Sequence, residues 1–147
     1  MRIPNHLVQP FADFLLSLEL PFRQSRLRSK LVKQARAHLQ ELHEYKQELI
    51  EKYGDKDENG KLVTIPNDEG TVQIKVTNMD NVDSYNREYS SLMQEDWIID
   101  ESESNKDMLT TVREIILNYE GTISGEEAMQ FDVYADAFEN LSYKEDH

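Results

Sequence analysis

Between Gln24 and Tyr53 the chain contains neither glycine nor proline, while Leu27, Leu31, Ala35, Leu39, Leu42, Leu49 and Tyr53 recur at intervals of three, four or seven. Apolar residues so spaced fall on one side of a 3.6-residue repeat, which predicts a single long amphipathic helix. Gly54 follows as its expected stop, a residue suited to a left-handed C′ position. Such a helix draws its stability from burying the leucine face, so a packing partner is required. Leu7, Phe11, Phe14, Leu15 and Leu18 predict that partner, a shorter helix starting near Asn5 or Gln9 with Pro10 in its first turn. Leu20-Pro21-Phe22 breaks the pattern. The short connection implies a helical hairpin over residues 1–53, with the Phe11/Phe14 face against the leucine stripe.

The period changes after Gly54. Leu62–Ile65 and Thr71–Val76 are rich in β-branched residues and are separated by Pro66-Asn67-Asp68-Glu69-Gly70, which predicts a β-hairpin. Helical spacing returns from Met79 to Met93. Trp97-Ile98-Ile99 is a short apolar run, and because two strands alone are marginal it is expected to pair with the hairpin as a third strand. Met108, Val112, Ile115, Ile116 and Tyr119 mark another helix, followed by Gly121. Ser124-Gly125-Glu126-Glu127 has the pattern of a capping box before Ala128, Phe131, Tyr134, Ala135 and Phe138. Residues 142–147 are polar and are expected to fray. The fold expected is therefore α+β in one domain over residues 1–147. It comprises the helical hairpin (1–53), then hairpin, helix and third strand in a small three-stranded antiparallel sheet (54–100), then two helices (101–141).

Charge bounds the function. The 147 residues carry 29 acidic and 16 basic side chains, a net charge of −13, which disfavours non-specific attraction to a phosphate backbone by the whole molecule. The charge is unevenly placed. Residues 1–53 hold nine bases and six acids, a net +3, whereas 54–147 hold seven and twenty-three, a net −16. On the long helix Arg23, Arg26, Lys30, Lys33 and Arg36 fall opposite the leucine stripe at 100° per residue, and Arg28 flanks the apolar side. Five cations on one outward face are the candidate contact residues for an acidic protein surface, a second copy of the chain, or nucleic acid. Aromatic residues for stacking on bases are not interleaved among them, and the −16 of the remainder favours protein contact or self-association over an inert solvated face or nucleic acid. The acidic stretch from Thr77 onward offers a further alternative, in which it imitates a phosphate array and occupies a nucleic-acid-binding protein.

Other chemistry is sparse. Cysteine is absent, which removes disulfides, thiolate metal sites and cysteine nucleophiles and fits a reducing compartment. The most apolar stretch, Phe11 to Phe22, is interrupted by Asp13 and Glu19 and is too short to span a bilayer, and Met1–His6 has no export pattern, so a cytoplasmic location away from membranes is expected. Phosphate-loop, dinucleotide-loop and nucleophile-elbow motifs do not occur. Asp55-Lys56-Asp57-Glu58-Asn59-Gly60 matches the opening of a calcium loop, making Asp55, Asp57 and Asn59 candidate ligands, but Pro66 stands where the bidentate Glu belongs. The reading preferred is a turn leading into the hairpin. His38 and His43 are five residues apart and diverge by about 140°, unlike a zinc-binding i, i+4 pair; His38 fits a hydrogen-bonded core histidine instead. No catalytic, metal or cofactor-binding residue is assigned, and a non-enzymatic role is expected.

Gln24-Ser25-Arg26-Leu27-Arg28-Ser29-Lys30-Leu31, Tyr53–Lys61, Tyr85-Asn86-Arg87-Glu88-Tyr89 and Thr111–Tyr119 resemble, in order, a family of small uncharacterised proteins of phages and prophages of Gram-positive bacteria. That resemblance carries no activity and no functional residue. It implies a phage or prophage product in a bacterial cytoplasm, acting as an accessory factor that binds another protein.

Overall fold

The structure is a computed structural model and describes residues 1–143. Its elements are β1 (Arg2–Pro4), α1 (Asn5–Ser17), α2 (Phe22–Tyr53), β2 (Thr64–Pro66), β3 (Val72–Ile74), α3 (Met79–Gln94), β4 (Asp96–Ile98), a 3-10 turn at Glu103–Asn105, α4 (Lys106–Leu117) and α5 (Gly125–Glu139). The protein is thus α+β and predominantly helical. The chain groups into two compact units, residues 1–39 with 95 onward and Gln40–Gln94. The division falls within α2.

In the first unit β1 and β4 form an antiparallel pair in the register Arg2↔Ile98, Ile3↔Trp97 and Pro4↔Asp96. The three-stranded sheet expected from the sequence is therefore replaced by two separate two-stranded sheets. The reason is apolar burial at both ends of the pair. Ile3, Trp97 and Ile99 enter the core, and the Ile99 amide donates to the Met1 carbonyl at 2.8 Å. That core joins them to Val8, Phe11 and Leu15 of α1, Leu31, Val32 and Ala35 of α2, Met108, Val112 and Ile116 of α4, and Tyr134 and Phe138 of α5. The Phe11/Phe14 face meets aromatic rings rather than the leucine stripe alone. Phe11 lies 4.9 Å from Tyr134, and Phe14 lies 5.3 Å from Tyr119 and 5.5 Å from Phe131 between ring centroids.

Three local expectations are corrected here. Pro10 lies inside α1 rather than in its first turn, so the amide that would bond the His6 carbonyl is missing. Burial of Leu7, Val8, Phe11, Ala12 and Leu15 around it offsets that loss. Ser124 does precede α5 but makes no side-chain cap hydrogen bond, because Gly125 adopts φ +62° and turns the chain between the serine and the helix. Ser142 and Tyr143 are anchored, not frayed. The Ser142 amide and hydroxyl donate to Glu101 at 2.6 and 2.9 Å, and the Tyr143 hydroxyl donates to the Ser102 carbonyl. The rest of the expected frayed tail, residues 144–147, lies outside the described residues.

Glu101 also receives the Met1 ammonium at 2.8 Å. That ammonium, followed by the Ser142 amide and hydroxyl, holds the Glu101 carboxyl down at about 2.

The second unit contains the end of α2, the β2–β3 hairpin and α3. The hairpin pairs Thr64↔Ile74, Ile65↔Gln73 and Pro66↔Val72, shorter than the sequence run suggested but in the expected place. Gly54 ends α2 without a left-handed backbone. A Cβ there would come within 2.7 Å of Leu62, 2.8 Å of the Ile50 carbonyl oxygen and 2.9 Å of Ile74, so glycine is favoured by crowding from these side chains and the last turn of α2 rather than by φ. Lys52 meets Glu88 of α3 at 3.4 Å, and the Tyr85 and Tyr89 rings stack at 5.9 Å.

Candidate interaction surface

α2 begins two residues earlier than the periodicity indicated. The Ser25 amide donates to the Pro21 carbonyl at 2.8 Å, so proline serves as the helix entry and Phe22 and Arg23 join the first turn. Because Leu31, Val32 and Ala35 point into the core, the opposite side of the helix faces solvent. Arg23, Arg26, Lys30, Lys33 and Arg36 are all exposed there. None of the five forms an ion pair within 4.0 Å among the described residues. They are spaced about one turn apart, which places a row of positive charge along one helix face.

Phe22 belongs with this row and was missed in the sequence, where it was read as part of the break before the helix. It is 82% exposed, the highest value among the described large hydrophobic residues, and it stands one turn before Arg26. Recognising Pro21 as the helix entry would have placed Phe22 at the first helical position and therefore on the basic face.

Arg28 has a different task. It is 8% exposed and donates from its guanidinium to the Leu15 carbonyl at 2.6 Å, the Leu18 carbonyl at 2.9 Å and the Ser25 hydroxyl at 3.0 Å. It closes the C-terminal end of α1, where the carbonyls lack intrahelical partners and the helix dipole favours a cation.

The calcium-loop pattern folds as a turn. Asp57 accepts from the amides of Asn59 at 2.8 Å and Lys61 at 3.0 Å, and Gly60 takes the positive φ of +76° that the turn needs. Asp55 instead accepts from the amide and hydroxyl of Thr77, and these bonds hold its carboxyl below the usual carboxylate range. Asp55 and Asp57 thus serve different partners, while Asn59 contributes its backbone amide to the turn. Among the described residues no group of three or more His, Asp or Glu side chains is placed to hold a metal ion. His38 lies against the core as its position on the helix suggested, with Nε2 2.6 Å from the Asn5 side-chain oxygen and its ring stacked 5.7 Å from Trp97.

No described helix is long and apolar enough to cross a membrane. Fold and surface together define a helix-rich α+β protein whose most distinctive exposed chemistry is the cationic face of α2. Compared with protein-family models, curated proteins and solved structures, the chain matches none.

Proposed function

We propose that this chain is a non-enzymatic accessory protein, of phage or prophage origin as its resemblance implies, that works in a bacterial cytoplasm through protein contacts. Its contact surface is the exposed face of α2, with Phe22 as the apolar anchor and Arg23, Arg26, Lys30, Lys33 and Arg36 as the charged surround. The observation that carries this reading is that all five cations are exposed and unpaired among the described residues while an exposed aromatic ring sits in the same row. An aromatic anchor beside arginines is the composition that concentrates binding energy in protein interfaces. The partner surface is acidic, and a second copy of this chain, whose residues 54–147 carry a net −16, meets that requirement as well as another protein does.

The second reading is a nucleic-acid-binding regulator that sets the same cations against phosphates. Gel shifts at low salt with single-stranded and duplex DNA and RNA separate the two. Under the protein-contact reading no shift forms, whereas a shift that weakens steeply with salt and disappears when Arg26, Lys30 and Lys33 are reversed to Glu establishes the regulator in its place. Sedimentation velocity of the chain alone at low and high salt then tells whether the partner is a second copy.

A further inference from the structure

The exposed face of α2 has a charge-complementary counterpart on the same unit. α5 contains no lysine or arginine, and Glu126, Met129, Asp132, Asp136 and Glu139 are all exposed along it. At 100° per residue they fall opposite Tyr134 and Phe138, which point into the core. None of the four acids forms an ion pair within 4.0 Å among the described residues. Met129 is 69% exposed, so this row, like that of α2, holds an apolar side chain in solvent.

The two rows match in length and in step. From Arg36 back to Arg23 the five cations are separated by 3, 3, 4 and 3 residues, and from Glu126 on to Glu139 the five exposed residues of α5 are separated by 3, 3, 4 and 3. Each row therefore spans about 20 Å at about 1.5 Å per residue. Set antiparallel, the helices bring Arg36 to the height of Glu126, Lys30 to Asp132, Arg26 to Asp136 and Arg23 to Glu139. Lys33 then falls beside Met129, and its methylene stem offers that side chain apolar surface. Phe22 comes to the level of Asn140, at the end of α5. The long, flexible stems of the cations cover the lateral offset between the rows.

These faces cannot meet within one chain, because α2 and α5 bury their opposite sides in one core and both rows point away from it. We infer, on the protein-contact reading of α2, that the occupant of its exposed face is the α5 face of a second copy of this chain. Net charge opposes the contact, since each copy carries −13. That repulsion is long-ranged and is largely screened beyond about 8 Å in about 0.15 M salt, whereas charges in contact lie within that length. Self-association is therefore strongest near physiological salt and is lost near about 1 M, where the screening length falls to about 3 Å.

Sedimentation velocity of the full chain at about 100 µM tests the pairing. The parent should associate in about 0.15 M salt and be monomeric in about 1 M. Arg26→Glu with Lys30→Glu, and separately Asp132→Lys with Asp136→Arg, should each weaken association by about tenfold or more, since like charges then face each other. An equimolar mixture of the two double variants should restore a complex, because the reversed α2 of one meets the reversed α5 of the other. All four positions are exposed, so both variants are expected to fold as the parent does. A monomeric parent, or a mixture no more associated than its separate components, overturns the pairing and leaves α2 to dock another protein. Association that the α2 variant abolishes and the α5 variant leaves intact overturns α5 as the occupant while the α2 reading stands. Association unchanged in both variants overturns the pairing and the α2 reading together.

Discussion

Replacing Arg28 by Met tests whether the cations of α2 divide into one structural residue and five surface residues. Methionine keeps much of the apolar stem, so the change removes chiefly the charged head. That head donates to the carbonyls of Leu15 and Leu18, both at the end of α1. Bonds to a charged donor contribute about 1.5–3 kcal/mol each, and a cation at a helix C-terminus about 0.3–1 kcal/mol more. The two bonds share one guanidinium, and the Leu15 carbonyl keeps the Leu18 amide at 3.3 Å, so the sum is not reached. The expected loss is about 2–3 kcal/mol, or a fall in Tm of roughly 5–10 °C for a chain of this size. Arg26→Met, the same chemistry at an exposed position, should stay within about 0.5 kcal/mol of the parent. Trp97 is the chain's one tryptophan and is 7% exposed in the core of the first unit, so its fluorescence during urea unfolding follows that unit. Equal midpoints for Arg28→Met and the parent, or equal losses in the two variants, would refute the assignment.

Glu101→Gln should cost about 1–2 kcal/mol at pH 7, less than the full linkage of its shift from 4.5 to about 2, because the side chain is 24% exposed. A lowered carboxylate contributes stability above its ordinary pKa and loses it as pH falls toward 2, so acid titration of both proteins should show the difference shrinking below about pH 4.5 and gone near pH 2. Gly60→Ala should destabilise the second unit by about 1 kcal/mol, since φ +76° strains any residue with a Cβ; hydrogen exchange in the β2–β3 hairpin reads it. Calcium at about 5 mM should leave the melting of the protein within about 1 °C, because Asp55 and Asp57 are committed to separate backbone donors.

Where local pattern sets structure, the sequence was readable. The leucine spacing of α2 and the stripe after Met108 report a periodicity that burial on one face imposes, while the hairpin and the helix after Met79 follow β-branched content and helical spacing with no residue buried. The partner of the Trp97 strand was not readable, because that pairing is a long-range choice. Arg2–Pro4 is too short and too close to a proline to register as a strand, yet Ile3 opposite Trp97 buries two side chains that the hairpin could not. Gly54 shows the same limit from another side: it was visible as punctuation, but the crowding by Leu62 and Ile74 comes from residues that only tertiary packing brings near. At the surface, the angular position of Arg23, Arg26, Lys30, Lys33 and Arg36 followed from helix geometry alone. Phe22 did not, since its exposure depends on where the helix starts.

The basic face of α2 as a protein-docking surface is tested most directly by quantitative affinity capture from a lysogenic bacterial extract treated with nuclease, using the parent and the Arg26→Glu, Lys30→Glu, Lys33→Glu triple variant side by side. A protein-docking face should retain an acidic protein on the parent after nuclease treatment, release it at high salt and lose it by about tenfold or more in the variant, the ratio expected when close charge pairs turn repulsive. Equal capture by both proteins, or retention that vanishes with the nucleic acid, would contradict it.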